Sequence, residues 1–227
     1  MRSKFSSKSR RTIAAIALVA TTGLSATACG SDDDTGTKAS AAAPAPTPVA
    51  AIDSLTGNDT QVTLDQGFVD ALTALELTPG TVGTAKLAEG ALTFPVTGGN
   101  VSVFKPGSVP NYVVGQIQHE GSGLSLAAGG TKVELTNLNV DPGVSRVYGD
   151  VSVNGKAAVT SAYLFKLDGR TLKPLSTGTG TATLEGTKVA ISPVAAPLLN
   201  QTFKTDAVKP GLLVGIAKIT VNTTAGD

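Results

Sequence analysis

The chain has 227 residues, enough for one domain of ordinary size plus terminal extensions, and carries one Cys, one Met, one His and no Trp against 26 Gly. A single Cys excludes disulfides within the chain and thiolate metal sites, and a single imidazole starves most chemistry that runs near neutral pH. The formal charge of +1 hides an asymmetry: five of the 18 basic residues (Arg2, Lys4, Lys8, Arg10, Arg11) precede the first acid, Asp32, so the rest of the chain sets 13 basic residues against 17 acids. A mildly acidic product without a basic patch argues against nucleic acid as a partner, because phosphate neutralisation supplies most of such affinity.

Residues 1–28 read as a lipoprotein signal peptide. A basic stretch to Arg11 is followed by an apolar run from Ile13 to Leu24, too short to span a bilayer and suited to a secretory signal. Small residues, Ala26, Thr27 and Ala28, lead to Cys29, which resembles the lipobox cysteine that is diacylated and becomes the new N-terminus. Cleavage by an ordinary signal peptidase after Ala28 is the alternative. Arg10-Arg11 suits either a twin-arginine export signal or a plain basic n-region. Residues 29–55 form an Asp-, Ala- and Pro-rich tether without periodicity. Asp32, Asp33 and Asp34 lack the spacing of a calcium loop, and Pro44, Pro46 and Pro48 stiffen the distal part toward polyproline II. The expected partner is therefore the membrane, through a lipid anchor at Cys29, on the extracytoplasmic face.

Residues 56–227 are expected to form a single β-rich domain. Apolar residues alternate with period two around Val101, Val113 to Ile117, Leu124, Val133, Val147 to Val153, Tyr163 to Leu167 and Val189. The breakers are Gly98-Gly99, Pro106-Gly107, Gly129-Gly130, Asp141-Pro142-Gly143, Asn154-Gly155 and Asp168-Gly169, of which Asn-Gly and Asp-Gly are strong hairpin signals. The phase slips between Leu135 and Leu138, which predicts a bulge near Thr136 and Asn137. Two short helices are expected, one after Asp65 with Phe68, Ala71, Leu72 and Leu75 on one face, one after Ser192 and shortened by Pro197. Each follows a strand and precedes a Pro-Gly turn, so 62–87 and 189–219 read as an internal repeat. The fold class is mainly β, a sandwich or distorted barrel of ten to twelve strands with two short helices.

His119 is the one candidate ligand-binding residue. Alternation puts it on the apolar side with Val113 and Ile117, while Tyr112, Gln116 and Gln118 point away. It reads either as a neutral core histidine with one partner or as a ligand beside a Gly-rich turn. Ser122 and Ser125 lack the spacing of a nucleophile elbow, and His119-Glu120 begins a zinc-protease motif that no second His completes. No catalytic residue and no metal site are assigned, and no enzyme is expected. Tyr148 looks like a cross-strand surface residue, and Tyr163 shares a face with Phe165 and Leu167, as core residues do.

The series Phe94-Pro95-Val96, Gly115 to Leu126, Val133 to Leu138, Leu164 to Asp168, Ala195 and Pro210-Gly211 resembles the HtaA-type haem-binding domain of actinobacterial cell-surface iron-uptake proteins. The resemblance implies a β-rich fold with two helices and haem as cofactor, bound by a Tyr near the first helix with a supporting His. Here Phe68 occupies the first helix and only His119 carries over. The expectation is thus a lipid-anchored, non-enzymatic envelope module binding a small molecule or an envelope partner, without a cofactor of its own. A haem-binding or haem-relay protein and a structural cell-envelope protein are the alternatives.

Overall fold

Turn chemistry sets the pairing of the long strands. In the computed structural model, which describes residues 45–223, Asn154 and Gly155 have φ of 51° and 75° and join β9 (Arg146–Val153) to β10 (Lys156–Asp168) in a tight hairpin. Gly129 and Gly130, at 54° and 78°, do the same between β7 (Val113–Ala128) and β8 (Thr131–Asp141). Before these come β1 (Ala50–Ile52), β2 (Asn58–Leu64), α1 (Gln66–Ala74), β3 (Thr78–Gly83), β4 (Lys86–Ala88), β5 (Ala91–Pro95) and β6 (Gly98–Val103). After them come β11 (Ser176–Gly178), β12 (Thr181–Ile191), α2 (Ala195–Phe203) and β13 (Leu213–Asn222). A 3₁₀ turn, Pro142–Val144, links β8 to β9.

All thirteen strands belong to one sheet, curled into a half-barrel, rather than to the two sheets of a sandwich. Its path runs β1-β6-β7-β8-β9-β10-β12-β13-β2-β5-β4, with β3 on β7 and β11 on β12. The curl has a local cause in three strands. Gly121 in β7, Asn137 in β8 and Ser161 in β10 have positive φ at places where the register slips, and these bulges bend their strands. Side chains satisfy the freed backbone groups: Asn137 Oδ1 accepts from Gly121 N at 3.0 Å and Asp150 Oδ1 from Ser161 N at 3.0 Å, while Asn137 Nδ2 donates to Asp150 Oδ2 at 2.9 Å. Asp150 thus braces the bulges.

The curl ends on a seam. Val96 N donates to Asn58 O of β2 at 2.7 Å, and the next residue, Thr97, donates to Gln118 O of β7 at 2.8 Å. Consecutive residues therefore pair with strands from opposite ends of the path, so the β5 to β6 crossing ties those ends together. Gly99, expected to break a strand, lies within β6 and has φ of 113°, and an added Cβ would sit 2.0 Å from Gln116 O. Two further expectations are corrected. Val113 to Ile117 and Leu124 to Leu126 belong to one long strand bent at Gly121, and Ala50–Ile52, placed in the tether, pairs with Val101–Val103 of β6. Low complexity masked a strand whose partner is fifty residues away.

Both helices close the same end of the curl. Asp65 Oδ1 caps α1 through Gly67 N at 2.9 Å, and α1 buries Phe68 and Leu72. Ser192 Oγ, fully buried, accepts from Ala195 N at 2.9 Å and donates to Tyr163 O at 2.6 Å; α2 buries Ala195, Ala196 and Leu199. Pro197 falls in the first turn of α2, where a missing N–H costs nothing. The strand-cap-helix-strand order occurs in both segments of the expected repeat. Their pairings differ, however: β13 lies between β12 and β2, whereas β3 pairs with β7. Cys29, the signal segment and the tether to residue 44 lie outside the described residues.

Gly99→Ala should destabilise the fold by about 2 kcal/mol or more, because it combines an unfavourable φ with a backbone clash at the seam. Urea denaturation measures this, and an unchanged midpoint would contradict the seam geometry.

Candidate functional site

His119 lies at the seam, 1 % exposed, and touches both ends of the curl. Its Nδ1 is 2.9 Å from Pro95 O at the end of β5, and its Nε2 is 3.1 Å from Thr60 Oγ1 on β2. A carbonyl only accepts, so Nδ1 carries the proton, and Nε2 accepts from the Thr60 hydroxyl. The ring also packs on Phe94, centroids 6.2 Å apart. Burial holds the imidazole pKa below its ordinary value of 6.5; the Pro95 carbonyl and then Asp59 oppose the shift without reversing it. The neutral core reading of the sequence therefore describes this ring, with two partners rather than one. Ser122 Oγ donates to His119 O at 3.1 Å and not to the imidazole, so no Ser–His pair exists here.

The helices cover the core on one side. On the other lies a cavity of about 440 Å³, within the usual range of small-molecule sites, roughly 300 to 1,000 Å³. Its wall is aliphatic, with Val62, Leu92, Ile117, Val140, Ala217 and Ile219 among the lining residues, and His119 and Thr60 form part of its inner wall. Exposed Asn111 and Arg170, together with Tyr112, Ser145 and Asp168, line its mouth. Asp168 and Arg170 form a bidentate pair, Nη2 to Oδ2 at 2.6 Å and Nε to Oδ1 at 2.9 Å, which holds the Asp168 carboxyl well below the usual carboxylate range. The cavity as such had no signature in the sequence.

The three tyrosines separate. Tyr112, expected to point away from the apolar side, lines the cavity; it precedes β7, so strand alternation does not reach it. Tyr163, expected in the core, is cross-strand to Tyr148 with rings 6.1 Å apart and Arg146 4.6 Å above it. A register shift between Tyr163 and Phe165 lets Leu164 and Phe165 both be buried and turns Tyr163 outward. Among the described residues no group of three or more His, Cys, Asp or Glu could hold a metal ion, and no helix is long and apolar enough to cross a membrane.

No protein-family model matches the chain, and no curated protein matches it in sequence. Solved structures do. The C-terminal domain of HtaA from Corynebacterium glutamicum superposes with a TM-score of 0.51 at 14 % identity, over 74 % of this chain and 98 % of that one. The heme binding protein HtaB from the same organism gives 0.38 at 9 % identity, over 76 % and 96 %. A domain-swapped dimer of a variant HtaA domain gives 0.44 at 16 %, over 70 % and 90 %. At such identity the likeness to the HtaA domain shows a shared fold.

The residues at the helix end do not fit haem iron. Phe68 in α1, 8 % exposed, has no ligating atom where the resemblance implies a Tyr, and both His119 nitrogens are engaged.

A buried neutral His makes stability depend on pH. Its folded pKa lies below the unfolded value, near 6.5, so the unfolded chain binds more protons as pH falls through that value and stability drops, by at most about 1.4 kcal/mol per pH unit. Urea titrations between pH 7.5 and 5.5 should show this slope in the wild type and lose most of it in His119→Gln. Equal slopes would contradict the buried neutral ring.

Proposed function

We propose that the protein is a non-enzymatic binding module of the cell envelope, exported and held on the extracytoplasmic face by an acylated Cys29, whose curled sheet takes an apolar small molecule into its cavity. The cavity carries this reading. A wall of aliphatic side chains encloses about 440 Å³ behind a polar mouth, and the lone imidazole on that wall is bonded at both nitrogens, which suits a place in the wall better than proton transfer. The anchor reading rests on the sequence: the one Cys follows a signal-like segment and precedes a tether.

Haem binding is the second reading, favoured by the fold shared with the HtaA C-terminal domain. In this chain the haem would have to enter the cavity, where Tyr112 is the one lining tyrosine, because the helix end offers no ligand.

Cys29→Ala should abolish acyl labelling and move the protein from membrane to medium; retention in the membrane would contradict the anchor. A thermal-shift screen of apolar small molecules should raise Tm, since a ligand of the native state stabilises it by mass action. Titration with haemin separates the two readings. A shifted Soret band at stoichiometric haemin supports the second, and an unchanged spectrum removes it.

A further inference from the structure

We infer that the ligand of the cavity is a single-chain amphiphile with an uncharged head, such as a long-chain or polyprenyl alcohol, bound tail-first with its head at the mouth. This deepens the proposed binding function and rests on it.

The shape of the lined space is the first argument. β13 lines the cavity from Val214, beside the helix-closed end, to Val221. That is roughly 23 Å of strand at about 3.3 Å per residue. On β12 the lining runs in parallel from Val189 to Ala182. A space extended along the strands takes a chain lengthwise.

Polarity is the second argument. Partway along the wall Thr60 and His119 satisfy each other, and Pro95 O takes the remaining imidazole proton, so this polar pair is already engaged within the protein; the end beside the helices is aliphatic and aromatic, with Leu92, Leu124, Phe165 and Val214. Thr187 is the one further hydroxyl along the wall, while Asn111, Tyr112 and Ser145 gather at the mouth. A ligand whose one polar end stays at the mouth and whose remainder is hydrocarbon loses no hydrogen bonds on entry. A ligand polar at both ends would bury one of them against aliphatic wall.

Charge is the third. Asp168 and Arg170 are the charged residues of the lining, and each neutralises the other in a bidentate pair. Nearby, Lys173 is held by Glu185 at 2.7 Å. A carboxylate or phosphate head would have to compete with Asp168 for Arg170, whereas a hydroxyl needs only the neutral groups at the mouth. The same pairing gives no anchor to the two carboxylates of a haem.

The test uses the full chain carrying Cys29→Ala, so that no covalent acyl group is present, and the neutral fluorescent probe N-phenyl-1-naphthylamine. The probe should bind, and n-alkanols should displace it with affinity rising about tenfold for every two methylenes added. The matching fatty acids at pH 8 should compete at least tenfold more weakly. Ala182→Phe, which narrows the lined space beside Val221, should weaken probe and alkanol together while leaving the urea midpoint in place. If that variant fails to fold, Leu184→Trp serves the same purpose. Fatty acids competing as well as alkanols, or affinity that does not change with chain length, would overturn the single-chain, uncharged-head assignment and leave the binding function standing. Failure of the probe and every alkanol to bind, in a chain that folds, would overturn the binding function itself.

Discussion

One buried imidazole joins the two ends of a curled sheet. β2 and β5 lie at one end of the strand path and β7 near the other, and His119 on β7 bonds Thr60 of β2 and the Pro95 carbonyl of β5. Beside it the backbone crossing at Val96 and Thr97 makes the same connection. A neutral His suits this position better than an amide or a carboxylate would. It offers one donor and one acceptor on opposite sides of a flat ring, matched here to a carbonyl and a hydroxyl, and its aromatic face packs on Phe94. Burial keeps it neutral, and neutrality makes burial affordable.

What the clasp closes is a curl that its own side chains do not fill. The inner wall is built largely from Val, Leu, Ile and Ala, in a chain with 4 % aromatic residues and no Trp. Small barrels are filled when large side chains from opposite walls meet; short aliphatic ones leave a space between them. The helices and their Phe68, Leu72 and Leu199 fill the other end. The same composition thus leaves a cavity, and the proposed binding function rests on it.

Much of the fold was legible because strand alternation and turn chemistry are local. The mainly β class, the Asn154-Gly155 and Gly129-Gly130 hairpins, the Asp65 cap and the bulge near Asn137 each rest on a few neighbouring residues; α2 differs, with Val194 at its N-cap and the Ser192 hydroxyl, two residues earlier, accepting from Val194 N and Ala195 N. What escaped was non-local or depended on phase. The β1 strand reads as tether because its partner is β6. Tyr112 and Tyr163 lie on faces other than alternation predicts, the first because it precedes β7 and the second because the register shifts between Tyr163 and Phe165. His119 was correctly placed on the apolar face, yet its role as a clasp needs Thr60 and Pro95, neither of which signals an imidazole in sequence. The cavity is a property of how far apart walls stand, which no periodicity records.

Because the chain has one histidine, its ring can be observed without ambiguity by long-range ¹H–¹⁵N NMR. The ring is expected to be neutral and protonated at Nδ1 at pH 7.5, to titrate below pH 6.5, and not to be displaced from Thr60 and Pro95 by added haemin. A ring that titrates near pH 6.5, or one whose Nε2 signal is lost to paramagnetic broadening on adding haemin, would contradict the claim that His119 holds the sheet closed rather than binding the ligand.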